Sequence, residues 1–94
     1  MWRKLFGRHG LVVAVRGECN EYAQGRIMGI IQSVLNMDGD AFLRKIHVVC
    51  AQDDSADFKS FYVAVFSGVS YAQRDRIEKL IGKVTPGKLS VYLV

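Results

Sequence analysis

The side chains from which this chain could build chemistry are few. Five aspartates fall in two turns, Asp38 and Asp40 in DGD and Asp53, Asp54 and Asp57 in DDSAD. Oxygen-rich loops hold calcium or magnesium when their ligands recur at set intervals, but neither stretch has EF-hand spacing, so both read as solvated turns. His47 lies on an alternating stretch with no Cys, His or Asp partner at metal or catalytic spacing, and reads as an exposed sheet histidine. His9 belongs to the N-terminal segment. Cys19 and Cys50 are too few for a disulfide framework and lack CxxC or Cys/His spacing. Cys19 has no visible activator and Cys50 is placed toward the predicted core, so no nucleophile and base can be paired. The reading is therefore non-enzymatic, with no catalytic residue, no metal and no cofactor expected.

Binding is a second kind of chemistry. A helix opening at Asn20 would present the free N–H groups of its first turn, which attract anions. A ligand in the loop after the first strand would then be lined by Glu18, Asn20 and Gly25. Gly25 and Gly29 lie four apart, on one face of that helix, at a cost near 1 kcal/mol each relative to alanine. Small residues there allow close approach of another backbone, which could be the sheet below, a symmetry mate or a ligand.

These residues are positioned by elements that the sequence outlines. LVVAVR, residues 11–16, is rich in β-branched residues and stops at Gly17, as a mostly buried first strand should. Asn20 is a plausible N-cap, and Ala23, Ile27, Ile30, Ile31 and Val34 recur at helical spacing to about Asn36. LRKIHVVCAQ alternates, with Ile46, Val48 and Cys50 opposite Lys45, His47 and Val49. FKSFYVAVFSG is a third strand. Ser70 followed by Gln73 spells a capping box, and Ile77, Leu80, Ile81 and Val84 form the stripe of a second helix. Thr85, Pro86 and Gly87 end it, and KLSVYLV alternates as a last strand. The order β-α-β-β-α-β predicts an α+β, ferredoxin-like sandwich in which two helices cover one face of a four-stranded antiparallel sheet. The other face is left open.

With 94 residues, half of them apolar, the chain can build one core. We expect a basic, aromatic N-terminal segment over residues 1–9 and a single domain over 10–94. The longest apolar run, Leu11 to Val15, is far short of the ~20 residues that cross a bilayer, and no signal-peptide core follows the basic start. A soluble protein in a reducing cytoplasm is the expectation. The net charge is +4, and residues 1–16 hold Arg3, Lys4, Arg8 and Arg16 without an acid, so the remainder is balanced. MWRKLFGRHG therefore suits contact with an anionic membrane surface or an acidic partner, unless its aromatics fold back on the domain.

KSFYVAVF, residues 59–66, is similar to the third-strand signature of the RNA-recognition family at Lys59, Phe61 and Phe66. It departs at both small positions, Ser60 and Tyr62, and has Val63 where a second stacking aromatic belongs. Phosphate neutralisation supplies most nucleic-acid affinity, and the neighbouring turn is acidic. Nucleic-acid binding is thus the alternative reading.

GRIMGIIQSVL resembles the first helix of the ACT domains, and RDRIEKLIGKVTPGKLSVYLV looks like their second helix and last strand; the likeness covers roughly residues 11–94. ACT domains are small βαββαβ modules that regulate metabolic enzymes and often bind amino acids. The Asp-x-Pro-Gly turn of their ligand-binding members is absent here. The resemblance implies a regulatory, dimer-forming module that modulates a larger protein partner, with a small metabolite as its ligand. A homodimer would form through the open sheet face or an adjoining edge strand, and Phe61, Val63 and Val65 are the expected interface residues if the helices cover the alternate set of Ser60, Tyr62, Ala64 and Phe66. The opposite choice exposes Tyr62 and Phe66.

Overall fold

The computed structural model describes residues 10–17, 19–52 and 59–94. Strand β1 spans Leu11–Arg16, and Leu11, Val13 and Val15 are fully buried. Gly17 ends it with φ at +102°, a conformation that side-chain-bearing residues adopt only under strain. Helix α1, Glu21–Val34, starts where the Asn20 side chain accepts a hydrogen bond from the Ala23 amide at 2.8 Å. Its four-residue spacing puts Ala23, Ile27 and Ile31 under cover. A short helix α2, Gly39–Lys45, follows, capped by Asp38 accepting from the Ala41 amide at 2.8 Å and anchored by buried Phe42. Strand β2 runs Ile46–Gln52 and β3 Lys59–Val65. The predicted capping box opens helix α3, Tyr71–Ile81: the Gln73 amide donates to Ser70 Oγ at 3.1 Å, and the Ser70 amide to Gln73 Oε1 at 2.9 Å. Strand β4, Lys88–Leu93, is the last described element.

All neighbouring strands are antiparallel, in the order β2-β3-β1-β4. This is the α+β, ferredoxin-like arrangement, with α2 added between α1 and β2. The two central strands carry most of the core, because each has a neighbour on both sides and helices above. Leu11, Val13 and Val15 of β1 and Phe61, Val63 and Val65 of β3 meet Ile27 and Ile31 of α1 and Ile77 and Ile81 of α3.

Several expectations are corrected by this packing. Phe61, Val63 and Val65 do not face outward; they are at most 2% exposed, beneath the helices. The physical reason lies in the alternate set: Ser60 and Tyr62 carry hydroxyls that would need partners inside the core, whereas Phe-Val-Val needs none. Asp38 and Asp40 belong to a helix start rather than a bare turn, and Leu43 to Lys45 are helical, so β2 begins only at Ile46. Cys50 lies on the helix side of the sheet as expected but is exposed, because β2 is an edge strand with no described strand beyond it. Residues 1–9, Glu18 and the DDSAD turn at 53–57 lie outside the described residues.

Candidate functional site: the open sheet face

The register fixes what the sheet presents on the face over which no described element lies. One row across the sheet reads His47, Ala64, Val12, Tyr92, and the next Val49, Tyr62, Ala14, Ser90. Beyond them Ser60, Arg16 and Lys88 form a third row, so the apolar centre is bounded at one end by two exposed cations. Tyr62 is 37%, Tyr92 47% and Phe66, immediately after β3, 67% exposed. With a fully exposed aromatic side chain near 200 Å2, those three alone leave about 300 Å2 of surface in water. That is the lower end of the range for the largest apolar patch on an ordinary monomer, a patch that is often functional. The signature residue Phe61 sits in the core and cannot stack a base.

Of the residues expected to line a ligand site after β1, Glu18 lies outside the described residues. Asn20 Oδ1 is occupied by the helix cap, and Gly25, five residues further along α1, looks out on another side of the helix. The structure does not bring Asn20 and Gly25 together. Gln24, which sequence reasoning passed over, links the local groups instead: its Nε2 donates to the Cys19 carbonyl at 2.9 Å, and Cys50 Sγ donates to its Oε1 at 3.5 Å. Burial pushes the Cys19 thiol up from its ordinary pKa, and the charge of Cys50 adds to the shift. A protonated, enclosed thiol is a poor nucleophile. Among the described residues no three His, Cys, Asp or Glu side chains lie together in a group that could hold a metal, and no helix is long and apolar enough to cross a membrane.

On the outer side of the helix layer, α1 and α3 frame a shallow groove of about 320 Å3. Gly25, Arg26, Gly29 and Ile30 line it from α1, Arg76 and Leu80 from α3. The two glycines do not serve sheet packing, since a Cβ at either position would meet no atom within 4 Å. Nearby, Arg74 is fully engaged. It donates to the Val91 carbonyl through Nε at 3.0 Å and Nη2 at 2.7 Å, and pairs with Asp75 and Glu78.

No protein-family model matches the chain, and no curated protein matches it. Solved structures do. An uncharacterised protein from Thermotoga maritima is similar at 8% identity and TM-score 0.57, over 93% of this chain and 98% of that one. The C-terminal domain of the MgtC protein from Mycobacterium tuberculosis is similar at 17% identity and TM-score 0.54, over 94% and 89%. A de novo designed protein is similar at 13% identity and TM-score 0.51, over 90% and 96%. At such identities what is shared is the fold, and a fold common to natural and designed chains carries no function by itself. In fold, the chain is similar to the MgtC C-terminal domain.

Proposed function

We propose that this protein is a small, non-enzymatic regulatory or assembly module, ACT-like in its mode of action, that pairs its open sheet face with a second copy and modulates a larger partner in the cytoplasm. The observation that carries the proposal is the exposure of Tyr62, Tyr92 and Phe66, the first two on the sheet face turned away from the described helices. The largest apolar patch on a small protein is often a functional one, and a two-fold pairing lets one patch cover its own copy. The similarity to MgtC supports the modular part, since there the fold is one domain of a longer protein. Small-metabolite binding belongs to the ACT-like reading alone and is tested by thermal shift against amino acids and nucleotides.

The deciding experiment is sedimentation equilibrium of the full chain in reducing buffer. A concentration-dependent dimer is expected, dispersed by Tyr92→Asp. The rival, RNA binding on the same face, predicts a salt-sensitive gel shift with single-stranded RNA that Tyr62→Ala and Tyr92→Ala remove. A monomer that gives such a shift would replace the assembly reading with the RNA one.

A further inference from the structure

We infer that the groove between α1 and α3 is a docking surface for an amphipathic helix of a partner protein, one whose apolar stripe is flanked by acidic residues. This goes beyond self-association, which uses the opposite side of the sheet, and it rests on the proposed regulatory role only in requiring a larger partner. Charge is the first argument. Arg26 and Arg76 stand on the two walls, and none of the groove's lining residues is acidic. Arg76 makes no ion pair with a described residue, because Asp75 and Glu78, the two acids of α3, are both turned to Arg74. Arg26 is steadied by its own helix, with Nη1 donating to the Tyr22 hydroxyl at 3.2 Å and the guanidinium 6.0 Å from that ring's centroid. Two guanidinium side chains, one from each helix of the groove, match carboxylates on both flanks of one incoming helix, each able to accept a forked pair of hydrogen bonds.

Shape supplies the second argument. Ile30 and Leu80 give the groove an apolar floor, and beside them Gly25 and Gly29 leave the α1 backbone uncovered with space above it. An incoming helix can therefore settle close to the α1 axis and bury its stripe between two helices, the helix-in-groove mode of recognition. A compact metabolite fits less well. At about 320 Å3 the groove is at the small end of ligand sites, and it is open along its outer side, where such sites normally enclose most of their ligand.

The test uses the 15N-labelled full chain and two synthetic helical peptides of about 20 residues, long enough to span the groove. One carries an alanine and leucine stripe flanked by glutamates, the other the same stripe flanked by lysines. Amide shifts confined to Gly25–Val34 and Arg76–Leu80 are expected with the glutamate peptide, and binding at least about tenfold weaker with the lysine peptide. Arg76→Glu should reverse that preference. Gly29→Leu should abolish binding while leaving the thermal midpoint unchanged or raised, because the new side chain enters open space. Equal binding of the two peptides, shifts centred on Tyr62 and Tyr92, no shift at millimolar peptide, or undiminished binding by Gly29→Leu would each overturn the assignment. The same samples in the centrifuge separate the two proposals: Gly29→Leu should dimerise like the parent, and absence of a dimer in both would count against the sheet-face reading while leaving the groove standing.

Discussion

Phe66→Ser isolates what the open face is worth in association. Phe66 is 67% exposed, so about 130 Å2 of its side chain is available for burial in each copy and about 260 Å2 in a two-fold pair. At about 25 cal/mol per Å2 the ceiling is about 6.5 kcal/mol, and a pairing that covers half of that surface loses about 3 kcal/mol on substitution. The dimer dissociation constant should then rise by about a hundredfold. The folded monomer should hardly notice, with a change in unfolding free energy within about 0.5 kcal/mol, because the ring already lies in water. Sedimentation equilibrium reads the first quantity, and urea denaturation at a concentration where the protein is monomeric reads the second. Unchanged association in Phe66→Ser would refute the face as the interface, as would a parent chain that stays monomeric at hundreds of micromolar. A dimer that appears only after removal of residues 1–9 would assign the covering of the face to that segment instead.

Gly17→Ala places a Cβ at φ +102° and should cost on the order of 1–3 kcal/mol in urea denaturation; full stability would mean that the turn relaxes freely. Asn20→Ala removes the α1 cap and should cost about 1 kcal/mol, with Asn20→Ser recovering most of it. Alkylation of the native protein followed by peptide mapping should label exposed Cys50 quickly and buried Cys19 only on unfolding; equal rates would refute the described packing. Because desolvation first, and then Cys50, raise the Cys19 pKa in the fold, the unfolded thiol ionises earlier on rising pH than the folded one. The stability that Cys19 contributes is thus intact below about pH 8.5 and is lost as pH climbs from there through the raised native value. Cys19→Ala should flatten that part of the pH–stability curve relative to the parent.

Much of the architecture was legible because local signals agreed with one another. Asn20 before an Ile-rich stripe and Ser70 before Gln73 are capping chemistry with little ambiguity, and both cap as read. Helix α2 escaped because seven residues are too few to show a period, so Asp38 reads equally well as a turn acid. The orientation of β3 was undecidable from alternation alone: Phe61, Val63, Val65 and Tyr62, Ala64, Phe66 are both apolar enough to bury. Only the third dimension, with Ile27, Ile31, Ile77 and Ile81 overhead, selects the set without hydroxyls. The groove was beyond sequence reasoning for a similar reason. Gly25 and Gly29 announce a small-residue face, but Arg76 lies on a different helix, and nothing along the chain says that the two helices flank one trough.

The grip of Arg74 on Val91 has a meaning for how the sheet can grow. Gly10 and Val94 exchange amide hydrogen bonds, so along the same ladder Val13 and Val91 form a pair whose amides point away from each other. The Val91 carbonyl therefore faces the free margin of β4, where a strand from another molecule would seek an acceptor. Arg74 already fills that acceptor twice over and is itself restrained by Asp75 and Glu78. A newcomer would have to evict a guanidinium to pair there, and a charged side chain laid along a sheet margin is a known guard against runaway strand addition. At this margin the molecule discourages open-ended fibrillar stacking.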